Sequence, residues 1–453
     1  MDRYDVAIVG GGPAGAAAAY EAASRGAEAV VLEKGVPRAD RDGMGPDSTD
    51  AAGMLDYWIE IMGIEPAELP DDVILQELSG TEFEGPTESL RLERTGMDAA
   101  YPNFGYTFQR ARMDDWLIER AETAGAEYRV GASVTGVEPD LTGDPEHTLT
   151  LRDGEEIEAD RLILADGPQR QVTNRVLDPL LPDGQAITDY VGTTEANHIA
   201  YQEHREFPED AIEKDMLRFW WGAMPGETAY PWVFPNDGNV ARVGLTMPIG
   251  LDLDEVDDPE DYLLLDADDE SIPSGSEYIE RLLERAYPEY DLEDFPLVED
   301  RGKKGGTETY AISSTRPIDS PTGAGIAVAG GAMGTTSAFH EGGYHVAVRS
   351  GAIAGELAAT RRLDAYNDAW KEAIGDEILR NVSFADIVAE YEPADWDRAF
   401  STARDLLQRK GSLIGFSPSA GLSGLKLYAQ YWWTKRKYRD GGYVQLHEHE
   451  FEV

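Results

Sequence analysis

The sequence predicts an α/β protein with a dinucleotide-binding N-terminus, on three observations. Tyr4–Val9 (YDVAIV) is a short apolar run that leads directly into a glycine-rich turn. An Ala-rich run, Ala16–Ser24, follows with helical composition and stops at Gly26. A second apolar run, AEAVVLE, then closes on Glu33. Strand, turn, helix and strand in this order make a β-α-β unit.

The turn reads Gly10-Gly11-Gly12-Pro13-Ala14-Gly15, a G-x-G-x-x-G pattern, with an acid 18 residues past its last glycine. Gly10 suits a tight turn, Gly12 lets backbone approach a pyrophosphate, and Gly15 lets helix and strand pack closely. The helix start, at Pro13 and Ala14, favours phosphate charge, and Glu33 can accept hydrogen bonds from ribose hydroxyls. A glycine-rich turn without a ligand is the alternative.

The chain has 453 residues, enough for two or three domains with cores of their own. Its 42% hydrophobic content is that of a globular protein. It has no cysteine, which excludes disulfides, Cys-ligated metals, iron–sulfur clusters and a thiol nucleophile. The start lacks a basic stretch and a cleavage site, so a cytoplasmic protein is expected. The one long uncharged run, Ser320–His340, is mostly Gly, Ala, Thr and Ser, too weakly apolar to span a bilayer. Asp and Glu number 87 against 39 Lys and Arg, a formal net charge of −48. Scarce lysine within that excess suits a protein built for molar salt, and a haloarchaeal source is expected. An acidic protein with a basic partner is the other reading. Binding to nucleic acid is disfavoured.

Three later segments bear on the nucleotide. Arg110-x-x-Met113-Asp114-x-x-Leu117 opens a predicted helix that runs on, through a turn, to a strand around Val134. The strand Leu162–Ala165 ends in Asp166-Gly167. In Gly325–Ala359 a strand leads through a glycine loop to a helix beginning near Gly343. Together they resemble the motifs of group A, p-hydroxybenzoate hydroxylase-like flavoproteins, and the resemblance implies FAD. It places Arg110, the backbone near Val134, Asp166, Gly167, Gly331, Gly342, Gly343 and Tyr344 at the cofactor. Two departures stand out. Gly331 occupies the position of a usual Asp, and DGMGPDS, with Met44 and Gly45, replaces a Cys-Gly loop. There is no second strand–helix fingerprint for NAD(P)H.

In the middle of the chain, Tyr230-x-Trp232-x-Phe234-Pro235 precedes Val243-Gly244. With period two, the three aromatics share one face of a strand. The pattern resembles the signature of the geranylgeranyl reductase family, where it lines an apolar tunnel beside the flavin; a purely structural aromatic face is the alternative. The resemblance implies an FAD-binding Rossmann-like domain with an inserted α+β substrate domain and a helical C-terminal region. The expected boundaries are 1–170 and 301–360 for the FAD-binding domain, 171–300 for a substrate domain with an antiparallel sheet, and 361–453 for the helical region. It implies saturation of C=C bonds in prenyl chains of membrane lipids, with substrate held by Tyr230, Trp232 and Phe234. Electrons would come from ferredoxin or NAD(P)H. Such chemistry calls for positioning and dryness, and no acid–base dyad is expected.

His340-Glu341, in FHEGG, is closer to an electron-transfer flavoprotein:quinone oxidoreductase-like pattern and makes His340 the one catalytic candidate, as a proton donor. The other histidines show no metal-ligand spacing. That quinone-linked class, a flavin monooxygenase or halogenase, and a cofactor-less binding module are the alternatives. Finally, Leu425–Arg439 (LKLYAQYWWTKRKYR) holds five basic residues, five aromatics and no acid. Residues 422–439 read as a peripheral membrane contact at the inner face of the cell membrane, or as a helix docked on the protein's own acidic body.

Overall fold

In the computed structural model, residues 2–35, 53–191, 197–302, 305–313, 315–408, 429–439 and 441–453 are described. The N-terminal unit forms as the sequence predicts. Strand Asp2–Val9 lies parallel to Ala29–Glu33 on one side and to Glu156–Leu164 on the other, and Glu127–Val130 extends the sheet beyond Ala29–Glu33. Glu156–Leu164 has two neighbours on its far side. Glu146–Leu151 runs antiparallel to its first half, and the short strand Ile326–Val328 runs parallel to its second half. Val134–Asp140 closes the edge.

Helix Pro13–Ser24 and helix Tyr344–Ala359 cross this sheet together. Their contact is almost all small residues: a methyl on Gly351 would fall 2.0 Å from the Ala14 carbonyl oxygen, and one on Gly355 2.1 Å from that of Ala18. Backbone therefore meets backbone, which brings the two helix starts side by side. Ser350 pins the arrangement by accepting the Gly330 amide (3.0 Å).

A second sheet stands on this layer. Its order is Thr307–Ile312, His198–Glu206, Val240–Pro248, Tyr230–Pro235, Met216–Trp220, Gly80–Glu84, Ser89–Leu92. It is antiparallel except where Gly80–Glu84 joins Met216–Trp220 in parallel. The substrate-side sheet thus draws strands from outside 171–300, at 80–92 and at 307–312. Helices Gln171–Leu177 and Ile187–Val191, by contrast, bury Val176, Leu177, Ile187 and Val191 in the core of the first sheet. Hydrophobic alternation marks a strand but not the sheet it joins, so these edges are set by long-range pairing.

A small sheet of Gly53–Leu55, Gly105–Phe108 and Ile74–Leu78 lies between the two. The C-terminal region is helical at Tyr366–Val388 and Pro393–Gln408, with Tyr366 and Trp370 fully buried against the first core. Residues 441–453 then return to the first layer, where Leu446 bridges Ile318 and Phe451 is buried.

Replacing Gly351 with Ala forces the two helices apart. It should cost about 1–3 kcal/mol, the usual scale of overpacking. The readout is Tm in molar salt, with Gly143→Ala, whose added methyl meets nothing within 4 Å, as the control that leaves Tm in place.

Candidate active site

Where the two layers meet they enclose a cavity of about 370 Å³. The glycine turn forms one end. Gly12, Pro13 and Ala14 line it, and space over Gly12 is open. Gly10 and Gly15 lie behind and hold the turn: the Gly10 amide donates to Leu32 O (3.0 Å), and a methyl on Gly15 would fall 1.9 Å from Gly10 O. Glu33 braces the same turn. Its carboxylate accepts the amides of Gly11 (2.7 Å) and Gly35 (2.6 Å), so its first task is to hold the loop. Tyr128, which the sequence reading missed, donates its hydroxyl to Gly11 O from the neighbouring strand.

The second helix start adds Gly342, Gly343 and Tyr344 to the lining. Arg110 lines it too, lying over the Tyr344 ring at 4.6 Å and pairing with Asp114 at 2.9 Å. Tyr344 donates to the same Asp114 (2.8 Å), which explains the Arg-x-x-x-Asp spacing on helix Arg110–Thr123. Gly167 lines the cavity, but Asp166 turns away: it caps helix Gln171–Leu177 by accepting the amides of Val172 (2.7 Å) and Thr173 (3.2 Å). Val134 is buried in the first core and is not among the cavity-lining residues. Met44 and Gly45 fall outside the described residues. Gly331 lines the cavity, and a side chain there would meet the Pro168 ring at 3.1 Å. Pro168 therefore occupies part of the room that an Asp at 331 would need.

The opposite wall is aromatic. Tyr230, Trp232 and Phe234 share the inner face of their strand, and Val233 points into the second core. Gly244 is directly opposite Trp232 across the sheet, and a methyl there would fall 2.4 Å from the indole. The Val-Gly of the sequence pattern is thus the space that Trp232 fills. Phe219 joins the wall, packing edge-on against Phe234 at 5.2 Å. Tyr230 ties the wall to the glycine loop by donating to His340 O (2.6 Å).

His340 and Glu341 lie in that loop. The His340 ring stacks on Trp58 at 4.8 Å, and its Nδ1 accepts the Gly342 amide (3.2 Å). Burial, with His345 and Arg380 nearby, pushes its pKa down to about 3. Near neutrality it is an uncharged stacking group, which places it poorly for the proton donation expected of it. Glu341 is a different case. Its side chain is 2% exposed and lines the cavity, with His198 Nε2 at 3.2 Å. Thr228 (3.0 Å) and Thr246 donate their hydroxyls to it. Burial outweighs those bonds and pushes its pKa up to about 8. The grouping of Glu341, His198, Thr228 and Thr246 is not legible in the sequence, because the four residues come from separate segments.

Two helix starts, an open glycine cradle and a long apolar wall fit a flavin dinucleotide. Among the described residues no group of His, Asp and Glu is placed to hold a metal ion, and no helix is long and apolar enough to cross a membrane. The FAD binding domain family model matches residues 3–193, and the cofactor is FAD. The chain is 26% identical to digeranylgeranylglycerophospholipid reductase 2 of Methanopyrus kandleri, over 92% of this chain and 98% of that one. It is 28% identical to the digeranylgeranylglycerophospholipid reductase of Haloferax volcanii, over 54% and 53%. In fold it resembles a geranylgeranyl bacteriochlorophyll reductase-like protein from Thermoplasma acidophilum, with TM-score 0.67, 21% identity and coverage of 97% and 99%.

Gly331 and Pro168 should behave as a coupled pair. Gly331→Ala is expected to weaken FAD binding, and adding Pro168→Ala should restore part of the loss. The coupling should be about 0.5–3 kcal/mol, measured by FAD titration of the single and double variants; additive effects would show that the contact does not matter.

Proposed function

We infer that this chain, a member of the geranylgeranyl reductase family of FAD-dependent oxidoreductases, saturates C=C bonds in geranylgeranyl or related polyprenyl chains of membrane lipids. The observation that carries this reading is the pairing, across one cavity, of the glycine cradle with the aromatic face of Tyr230, Trp232 and Phe234. Reduced FAD, when bound, supplies a hydride. Gly12, Pro13, Ala14, Gly342 and Gly343 bind it through backbone and helix ends, with Gly10, Gly15 and Glu33 holding the turn. The aromatic face binds a flat, uncharged chain and keeps water from it. An isolated alkene has no oxygen to polarise, so orientation against the cofactor is the main contribution of this wall. The quinone-linked and monooxygenase alternatives are not favoured by the reductase relatives. Ferredoxin or NAD(P)H is the electron donor in this reading.

The substrate's location gives the C-terminal basic strip a role. Residues 429–438 are helical. One face docks on the protein: Tyr431 stacks on Phe384 at 5.1 Å, while Lys437 (3.1 Å) and Tyr438 (2.9 Å) bind Asp386. The other face presents Trp433, 81% exposed, and Trp432, 48% exposed, beside Arg436. Docking and display are thus divided between two faces, and the outward one suits a peripheral contact with anionic lipid at headgroup depth. Residues 422–428 of the strip lie outside the described residues.

Purified protein, with its flavin reduced, should add two hydrogens per double bond to geranylgeranyl lipids, followed by mass spectrometry. Gly244→Ala, which drives a methyl into Trp232, should weaken prenyl turnover by about tenfold with the flavin absorption unchanged. A flavin-loaded, reducible protein that leaves every prenyl chain untouched overturns the reading.

The membrane contact is checked separately by flotation with anionic liposomes in molar salt. Trp433→Ala combined with Arg436→Glu should lower the floated fraction severalfold. Equal flotation of variant and wild type removes the helix from the interface.

A further inference from the structure

Saturating a C=C bond takes a hydride on one carbon and a proton on the other, and the aromatic wall is a poor source of protons. The Tyr230 hydroxyl is committed to His340 O (2.6 Å), and burial makes it a weaker acid still. His340 is neutral, its Nδ1 already accepting an amide. Glu341 is the acidic group that lines the cavity between these two residues and the second sheet. We propose that Glu341 donates the proton of the reduction. This rests on the prenyl-reductase reading above.

The geometry suits both states of the carboxyl. Thr228 and Thr246 can donate to a carboxylate or accept from a carboxylic acid, since each hydroxyl is free to rotate. His198 Nε2 lies 3.2 Å from the Glu341 carboxyl and 3.2 Å from Glu227 O. The titratable groups that face Glu341 are His198 from strand His198–Glu206 and Tyr230 from strand Tyr230–Pro235. Strand Val240–Pro248 and the 222–229 loop contribute only the two threonines. Burial lowers the basicity of His198, so it stands beside Glu341 as an uncharged hydrogen-bonding neighbour. Glu341 also has φ 57°, a left-handed conformation in which a glycine would be less strained. Strain of this kind, in a residue held by three partners, is characteristic of functional positions.

The step balances as follows. The Glu341 O–H bond breaks as a C–H bond forms at one alkene carbon, and the hydride from the reduced cofactor forms the C–H bond at the other. The alkene gains two electrons, the flavin loses two, and the carboxylate left behind takes its next proton from water once the product has left the cavity. A carboxyl whose pKa is raised is protonated below that value, so the donor is present at neutral pH and is lost as pH rises through about 8.

Glu341→Gln keeps the shape and the threonine contacts but has no acidic proton. It should retain the flavin absorption spectrum, reduce prenyl chains about 100-fold more slowly below pH 8, and lose the alkaline limb of the pH profile; Glu341→Asp should recover part of the rate. Infrared spectroscopy gives a readout that needs no turnover. The wild type should show a protonated-carboxyl band that titrates away between pH 6 and pH 10, and the Gln variant should lack it. Wild-type rates in Glu341→Gln, or an infrared band unchanged by that substitution, overturn the proposal while the reductase reading stands. A wild type that reduces no prenyl chain overturns both.

Discussion

Two glycines of one helix rest against two carbonyl oxygens of another, and the active site depends on that contact. Gly351 and Gly355 bring helix Tyr344–Ala359 onto Ala14 and Ala18 at backbone distance. Any side chain there would separate the helix starts that border the cavity. Sequence segments more than three hundred residues apart thereby form one cradle. The apolar cost of leaving these positions without side chains is small beside the benefit of aligning both helix ends on the same anionic cofactor.

The second constraint is burial of polar groups around an apolar chamber. Trp58 stacks on His345 at 4.5 Å as well as on His340, and its indole N–H donates to Glu377 (3.2 Å). Arg380 pairs with the same carboxylate from one helical turn on. These contacts join helix Asp56–Met62 to the C-terminal helix Tyr366–Val388 and fix the loop that carries His340 and Glu341. Each charged group is paired and hydrogen-bonded, the condition under which buried charge is tolerated. A reaction chamber with rigid sides follows from a network whose members are individually costly.

Much of this was legible in the sequence. The glycine turn, the Tyr230–Phe234 alternation and the helix start near Gly343 depend on local periodicity and on residues with special backbone demands, and those survive in a string of letters. Other features did not. Asp166 reads as a cofactor residue but its carboxylate caps a helix six residues on, and Glu33 is engaged by loop amides. Gly331 reads as a missing ligand until Pro168 is seen to fill the space. Glu341 was passed over in favour of its neighbour His340 because its meaning lies in His198, Thr228 and Thr246, whose proximity is created by sheet pairing. Domain edges failed to show for the same reason, since strands at 80–92 and 307–312 join a sheet whose other members lie far along the chain.

That interleaving has a consequence for how the protein is made. Strand Gly80–Glu84 finds its parallel partner only at Met216–Trp220, and the Thr81 hydroxyl waits 136 residues for the carbonyl it binds. The first sheet is likewise incomplete until Ile326–Val328 emerges, and the cofactor cradle until the helix after it. Neither layer can close while the ribosome is still in the first half of the message. Both layers therefore complete only after these late segments are made, through the long-range pairing that slows folding in such topologies.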